Sequence, residues 1–168
     1  EIIKPVCIDG GVMFKELEAT TLKKYQKDKE LLGKLIQRNA LLKTKVVQQD
    51  EFESGDRKLL NFGHTLGHAI ENVYELSHGQ AISIGMTYAC HISEQLSGFK
   101  QTEQVTNLLT KYGLPTYAEF DKKKAFENLK KDKKKVKTEM SYVLLHKIGK
   151  AMVQNIPLTQ LETIIEQL

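Results

Sequence analysis

The sequence predicts a compact, mainly α domain with one small β-hairpin near residues 140–156. Three observations carry that reading. Apolar residues recur at spacings of three and four over most of the chain, the period of a helix with one buried face. Strand-like runs are confined to residues 140–145 and 151–156. The sequence contains no glycine-rich phosphate loop after a strand, so it predicts no dinucleotide-binding βαβ unit.

The elements follow in chain order. Residues 14–27 are amphipathic, with Phe14, Leu17 and Leu22 among charges. Residues 29–49 carry Leu31, Leu32, Leu35, Ile36, Leu41 and Leu42 at helical spacing. The polar segment 50–56 breaks that pattern, and a helix is expected over 59–75. Ser77, His78 and Gly79 punctuate before a long helix over 80–96, which Gly98 ends. Thr102 caps a helix over 102–112, stopped by Gly113 and Pro115. Residues 126–131 form a shorter helix. The two strands flank a turn at Lys147, Ile148 and Gly149. A helix over 158–168 closes the chain. With no repeat, low-complexity linker or internal boundary, residues 1–168 read as one domain.

Composition narrows the class. A chain of 168 residues, 40% hydrophobic and 27% charged, can bury an ordinary core and is not of the disordered type. It has no apolar run near ~18 residues, so no membrane span is expected, and no signal segment opens it. It begins Glu1-Ile2-Ile3-Lys4 without a starting Met, which leads us to expect a piece of something longer. The net charge of +4 comes mostly from lysine. The one basic run, 130–137, lacks interleaved aromatics, so no nucleic-acid partner is expected. Cys7 and Cys90 have no C-x-x-C partner and read as reduced, buried thiols in a cytoplasmic setting. His91 and His146 read as structural or surface residues.

Chemistry concentrates in the segment 57–68. Arg57, Asn61, His64 and His68 stand at i, i+4, i+7 and i+11. On one continuous helix, at ~100° per residue, they fall within roughly 60° of each other. Phe62, Leu66, Ile70 and Val73 lie opposite. A solvated face normally uses Lys and Glu rather than two histidines and an asparagine. Gly63 and Gly67 each cost a helix about 1 kcal/mol relative to alanine, which makes sense where another backbone or a ligand approaches closely. Histidines four apart can share a metal ion, so spacing alone suggests a zinc site of His64, His68 and His78.

The string Asn61-Phe-Gly-His-Thr-Leu-Gly-His-Ala-Ile-Glu71, followed by His78-Gly-Gln-Ala-Ile-Ser-Ile-Gly-Met86, resembles the signature of 3-dehydroquinate synthases. The match extends to Lys43-x-x-Val-Val-x-x-Asp-Glu-x-Glu53-x-Gly-x-Arg57, to Glu1-Ile-Ile-Lys4, and to Asp132-Lys-Lys134 with Glu139-Met140. The resemblance implies the helical C-terminal domain of that fold, with an N-terminal NAD-binding α/β domain absent from this chain. It implies a divalent metal, zinc or cobalt, held by Glu1, His64 and His78. His68 then becomes an acid–base group beside Glu53. Lys4, Lys43, Arg57, Asn61 and Lys133 or Lys134 would hold the substrate.

The implied reaction cyclises the sugar acid phosphate 3-deoxy-D-arabino-heptulosonate 7-phosphate (DAHP) to 3-dehydroquinate and phosphate, a step of the shikimate pathway to aromatic amino acids. It uses transient oxidation by NAD, and the full-length enzyme would be a homodimer. Two departures stand out: Gln80 replaces the usual Glu after His-Gly, which would soften support of His78, and Pro5 follows Lys4. Alternatives are another sugar phosphate cyclase, making inosose or valiolone rings, and a metal-dependent glycerol or alcohol dehydrogenase, which leaves the match from Lys43 to Arg57 unexplained. The isolated chain is expected to be an inactive helical metal-binding domain.

Overall fold

A computed structural model describes residues 1–49, 56–71, 73–131 and 138–168. It is mainly helical, as expected, with a single two-stranded antiparallel sheet among the described residues. Helix α1 spans Ile3–Asp9. Pro5 falls in its first turn, where a backbone N–H has no helical acceptor and none is lost. The helix expected over 14–27 is two helices, α2 (Gly11–Ala19) and α3 (Leu22–Lys27). Thr20 and Thr21 between them are extended, and the Thr21 hydroxyl accepts from Lys24 N at 3.3 Å. Two consecutive β-branched residues favour that conformation, and the second caps the new helix.

Helix α4 (Lys29–Gln49) has the expected bounds. Its Asn39 is buried and donates to the Ile2 carbonyl at 2.9 Å, pinning the start of α1. The helix expected over 59–75 is not continuous. A 3-10 turn, Asp56–Asn61, leads to Gly63 at φ 76°, and only then does α5 (His64–Glu71) begin. The Gly63 carbonyl accepts from Gly67 N at 3.0 Å, so α5 starts directly off this left-handed residue. Phe62, Leu66 and Ile70 are fully buried, as their spacing suggested, while Val73 lies beyond the helix end.

Helix α6 (His78–Ser97) starts two residues earlier than expected. The Gln80 side-chain oxygen accepts from Ser77 N and Ser77 Oγ, both at 2.9 Å, closing the helix start. Nearly every residue from Ala81 to Ser93 is buried, which makes α6 the central rod of the domain. Gly98, in the left-handed conformation, ends it.

In helix α7 (Thr102–Lys111) Gln101 occupies the N-cap position without a side-chain capping bond, and Thr102 is the first helical residue rather than the cap. Helix α8 (Lys122–Lys131) begins before residue 126 because Asp121 accepts from Lys124 N at 3.0 Å. Strands β1 (Glu139–Lys147) and β2 (Lys150–Pro157) form the expected hairpin, with Gly149 at φ 80° in the turn. Helix α9 (Leu158–Gln167) closes the chain.

The hairpin docks on α6 through specific hydrogen bonds. Ser93 Oγ accepts from Leu145 N at 2.9 Å, and Ser97 Oγ donates to the Leu145 carbonyl at 2.6 Å. Gly149 N donates to the Cys7 carbonyl at 2.8 Å, tying the turn to α1. One core runs from Ile3 through Phe14, Met86 and Tyr142 to Ile165. A smaller cluster of Leu66, Ile70, Ala81, Ile84, Tyr88 and Ala125 packs α5, α6 and α8 together. Cys7 and Cys90 are free thiols within the core. No helix of the described residues is long and apolar enough to cross a membrane.

Candidate metal and substrate site

Four helices bring charged and metal-ligating side chains to one place. Glu1 comes from just before α1 and Lys4 from its first turn, Lys43 from α4, His64, His68 and Glu71 from α5, and His78 from the first residue of α6. Glu1, His64 and His78 each offer a ligand atom, and these atoms all lie within 4.8 Å of one another. A second set, His68, Glu71 and His78, meets the same limit. The trio suggested by spacing alone, His64, His68 and His78, has its rings close, with centroids 5.1 to 5.6 Å apart. Its ligand atoms, however, are divided between the two sets.

Hydrogen bonds decide which nitrogen each ring offers. His64 Nδ1 lies 3.2 Å from the Phe62 carbonyl, which can only accept, so this nitrogen carries the proton. The Nε2 lone pair is left facing Lys4 Nζ at 3.2 Å. His78 Nδ1 lies 3.1 and 3.2 Å from the two Glu71 oxygens, and its Nε2 faces Glu1 at 3.7 Å. His68 Nδ1 lies 3.1 Å from Glu71 Oε2.

Charge is arranged to match. Burial, reinforced by the Lys4 ammonium, pushes His64 down to about 4, so its imidazole is neutral at physiological pH. Burial alone would raise Glu1, yet the Lys43 hydrogen bond at 3.0 Å and the Lys4 charge bring it down to about 2. Lys4 is a buried lysine, pushed below its ordinary range by desolvation and held by Glu1 at 3.5 Å. The hydrogen bond from His78, with a second from His68, holds Glu71 below the usual carboxylate range.

The donor set fits a divalent ion. One ionised carboxylate and two imidazole Nε2 lone pairs turned toward one another's ligand atoms suit zinc or cobalt, and these donors already gather beside a cation, the Lys4 ammonium.

The other expected residues are placed as follows. Asn61 ends the 3-10 turn that precedes Gly63, and Arg57 stands on the same turn. They therefore do not share a helix with His64 and His68, and the single polar stripe is replaced by a turn followed by a helix. The Arg57 side chain, Glu53, Lys133 and Lys134 lie outside the described residues. Gln80 is engaged with Ser77, and among the described residues Glu71 is the hydrogen-bond partner of His78 Nδ1. Glu71 was not singled out by the sequence reading. Its i+3 spacing from His68 was a signal for that contact, but its reach to His78 depends on how the chain turns after α5. His91 pairs with Glu94 at 3.0 Å near the surface, away from this cluster, and His146 is exposed.

A family model described as 3-dehydroquinate synthase C-terminal matches residues 1–135. A 3-dehydroquinate synthase of Clostridium perfringens (strain SM101 / Type A) is 38% identical over 161 residues, covering 92% of this chain and 45% of the relative. The chain thus spans about half the length of the curated relatives it matches. A 2-deoxy-scyllo-inosose synthase complexed with carbaglucose-6-phosphate, NAD+ and Co2+ superposes with a TM-score of 0.68 at 25% identity, covering 82% of this chain and 42% of that one. The 2-epi-5-epi-valiolone synthase of Streptomyces hygroscopicus subsp. jinggangensis 5008, with NAD+ and Zn2+ bound, superposes with a TM-score of 0.82 at 19% identity. It covers 99% of this chain and 48% of its own, and supports the fold alone.

Proposed function

The chain belongs to the 3-dehydroquinate synthase C-terminal family, and from that premise we propose that it is the metal- and substrate-binding half of a 3-dehydroquinate synthase. The substrate would be DAHP and the products 3-dehydroquinate and phosphate, within the shikimate pathway. NAD would be held mainly by an N-terminal α/β domain of the same enzyme. The observation that carries this reading is the convergence of Glu1, His64 and His78, with both imidazoles fixed so that Nε2 faces inward.

Those three residues would hold the divalent ion and leave a position for substrate, the arrangement of a catalytic rather than a structural zinc. When bound, such an ion supplies Lewis-acid polarisation of a hydroxyl and then a carbonyl. The chain's own groups do the rest. Lys4 and Lys43, with Arg57 and Asn61 by resemblance, bind and orient a substrate carrying carboxylate and phosphate, offsetting its charge. His68, whose Nδ1 is committed to Glu71, keeps Nε2 for moving a proton. Glu53 would share that acid–base work, and a lysine of 133–134 would complete the anion contacts.

Two measurements test the reading. The chain is expected to retain stoichiometric Zn2+ or Co2+ after dialysis, and His64→Ala to lose it; equal retention by both would remove the metal assignment. The enzyme carrying this domain together with its nucleotide-binding domain should release phosphate from DAHP in preference to sedoheptulose 7-phosphate. The opposite preference would assign it to another sugar phosphate cyclase. The isolated chain with added NAD is expected to release none.

A further inference from the structure

Glu71 stands on the last turn of α5 and touches both halves of the site. Its Oε1 and Oε2 lie 3.2 and 3.1 Å from His78 Nδ1, and the same Oε2 lies 3.1 Å from His68 Nδ1. An ionised carboxylate only accepts, so each contact places the proton on Nδ1 and turns the Nε2 lone pair away from Glu71. For His78 that direction is toward Glu1. At position 80 the glutamine is bound to the helix start, so among the described residues Glu71 is the carboxylate that hydrogen-bonds His78 Nδ1.

We infer that Glu71 is a positioning residue that sets the tautomer and orientation of two histidines at once, the metal-facing His78 and the proton-transferring His68. A carboxylate behind a ligating histidine fixes the ring and raises its basicity. Here one oxygen serves both rings, so loss of Glu71 disturbs metal binding and proton transfer together. The chain geometry makes this possible. Val73 N and Tyr74 N both bond the Ile70 carbonyl, which tightens the turn after α5. Ser77 and Gln80 then start α6, placing His78 back over Glu71.

The inference rests on the functional reading above, and the test separates the two. The 168-residue chain and its Glu71→Ala and Glu71→Gln variants are titrated with Co2+, followed by the absorption bands of the bound ion. Histidine tautomers of the metal-free chains are read from the 15N chemical shifts of the ring nitrogens. In the wild type His68 and His78 should both be Nδ1-protonated. In Glu71→Ala both should shift toward the Nε2-protonated form, while His64, held by Phe62, stays unchanged. Co2+ affinity should fall roughly 10–100-fold, with a smaller loss in Glu71→Gln, which keeps one acceptor oxygen.

Unchanged tautomers in Glu71→Ala overturn the inference whatever the affinity does. Abolished Co2+ binding in Glu71→Ala, with His64→Ala unaffected, would make Glu71 itself a ligand and also overturn it. Should wild type bind no Co2+, the metal assignment fails, and the tautomer comparison still decides the role of Glu71. Should Glu71→Ala lose its native amide fingerprint, Glu71→Gln carries the same comparison.

Discussion

His64 and His68 stand one turn apart on α5, yet their Nδ1 atoms meet different acceptors, a backbone carbonyl for the first and the Glu71 carboxylate for the second. Those acceptors, more than the spacing of the rings, set which way each Nε2 faces. His64 also bears on stability. Its folded value of about 4 lies below the ordinary 6.5 because burial and Lys4 disfavour the imidazolium. The unfolded chain therefore binds more protons between those values, and stability rises with pH across that window. The contribution is fully present above about 6.5 and is lost progressively as the pH falls to about 4. Chemical denaturation of the metal-free chain should show this decline. In His64→Gln, which cannot titrate there, the slope over the same interval should be shallower; an equal slope would remove His64 as its source.

At the scale of elements, the site depends on how closely α5 and α6 cross. A Cβ added to Gly85 would lie 2.0 Å from the Gly63 carbonyl oxygen and 2.8 Å from Gly67 N. Gly67 faces Ala81 and Ile82 of α6 in the same way, and Gly63 faces Met86. The glycines at 63 and 67 thus serve approach by another backbone, and the helix they meet contributes a glycine of its own. Gly85→Ala has no flexible side chain to displace, so it should cost about 3 kcal/mol or more. Gly33, in the middle of α4, has open space around it. Gly33→Ala should therefore stabilise the chain by about 0.5–1 kcal/mol. Urea midpoints of the two variants measure the contrast, and similar shifts for both would contradict a tight crossing.

At the scale of the whole molecule, the candidate ligands come from three separate places in the chain, the segment just before α1, the start of α5 and the start of α6. A metal held there links these elements only in the folded state, so binding adds directly to folding stability. At a free concentration of 100 times the dissociation constant the gain is ~2.7 kcal/mol. For a chain of this size that corresponds to a rise in Tm of roughly 5–11 °C. Thermal melts with and without Zn2+ should show the rise in wild type and not in His64→Ala. A rise of equal size in both would place the ion elsewhere.

Much of the domain was legible in the sequence because local signals repeat there. The bounds of α4 follow from 21 residues of unbroken helical period. The hairpin follows from two strand-like runs around a glycine turn, and the exits of α6 and α7 from Gly98 and Gly113. The histidine spacing also marked where Glu1, Lys4, Lys43, His64, His68 and His78 come together. What the sequence left open were choices between conformations of similar local cost. It showed glycines at 63 and 67 but not that Gly63 alone turns left-handed, because close packing against Gly85 and Met86 selects that conformation. It placed four polar groups on one imagined helix, where tertiary packing instead puts a turn before α5. It did not single out Glu71, since a contact with His78 exists only after the chain has folded back from α5 into α6. Periodicity is a property of neighbours along the chain. The direction of a ring nitrogen is a property of neighbours in space, and that is why only the folded structure assigns it.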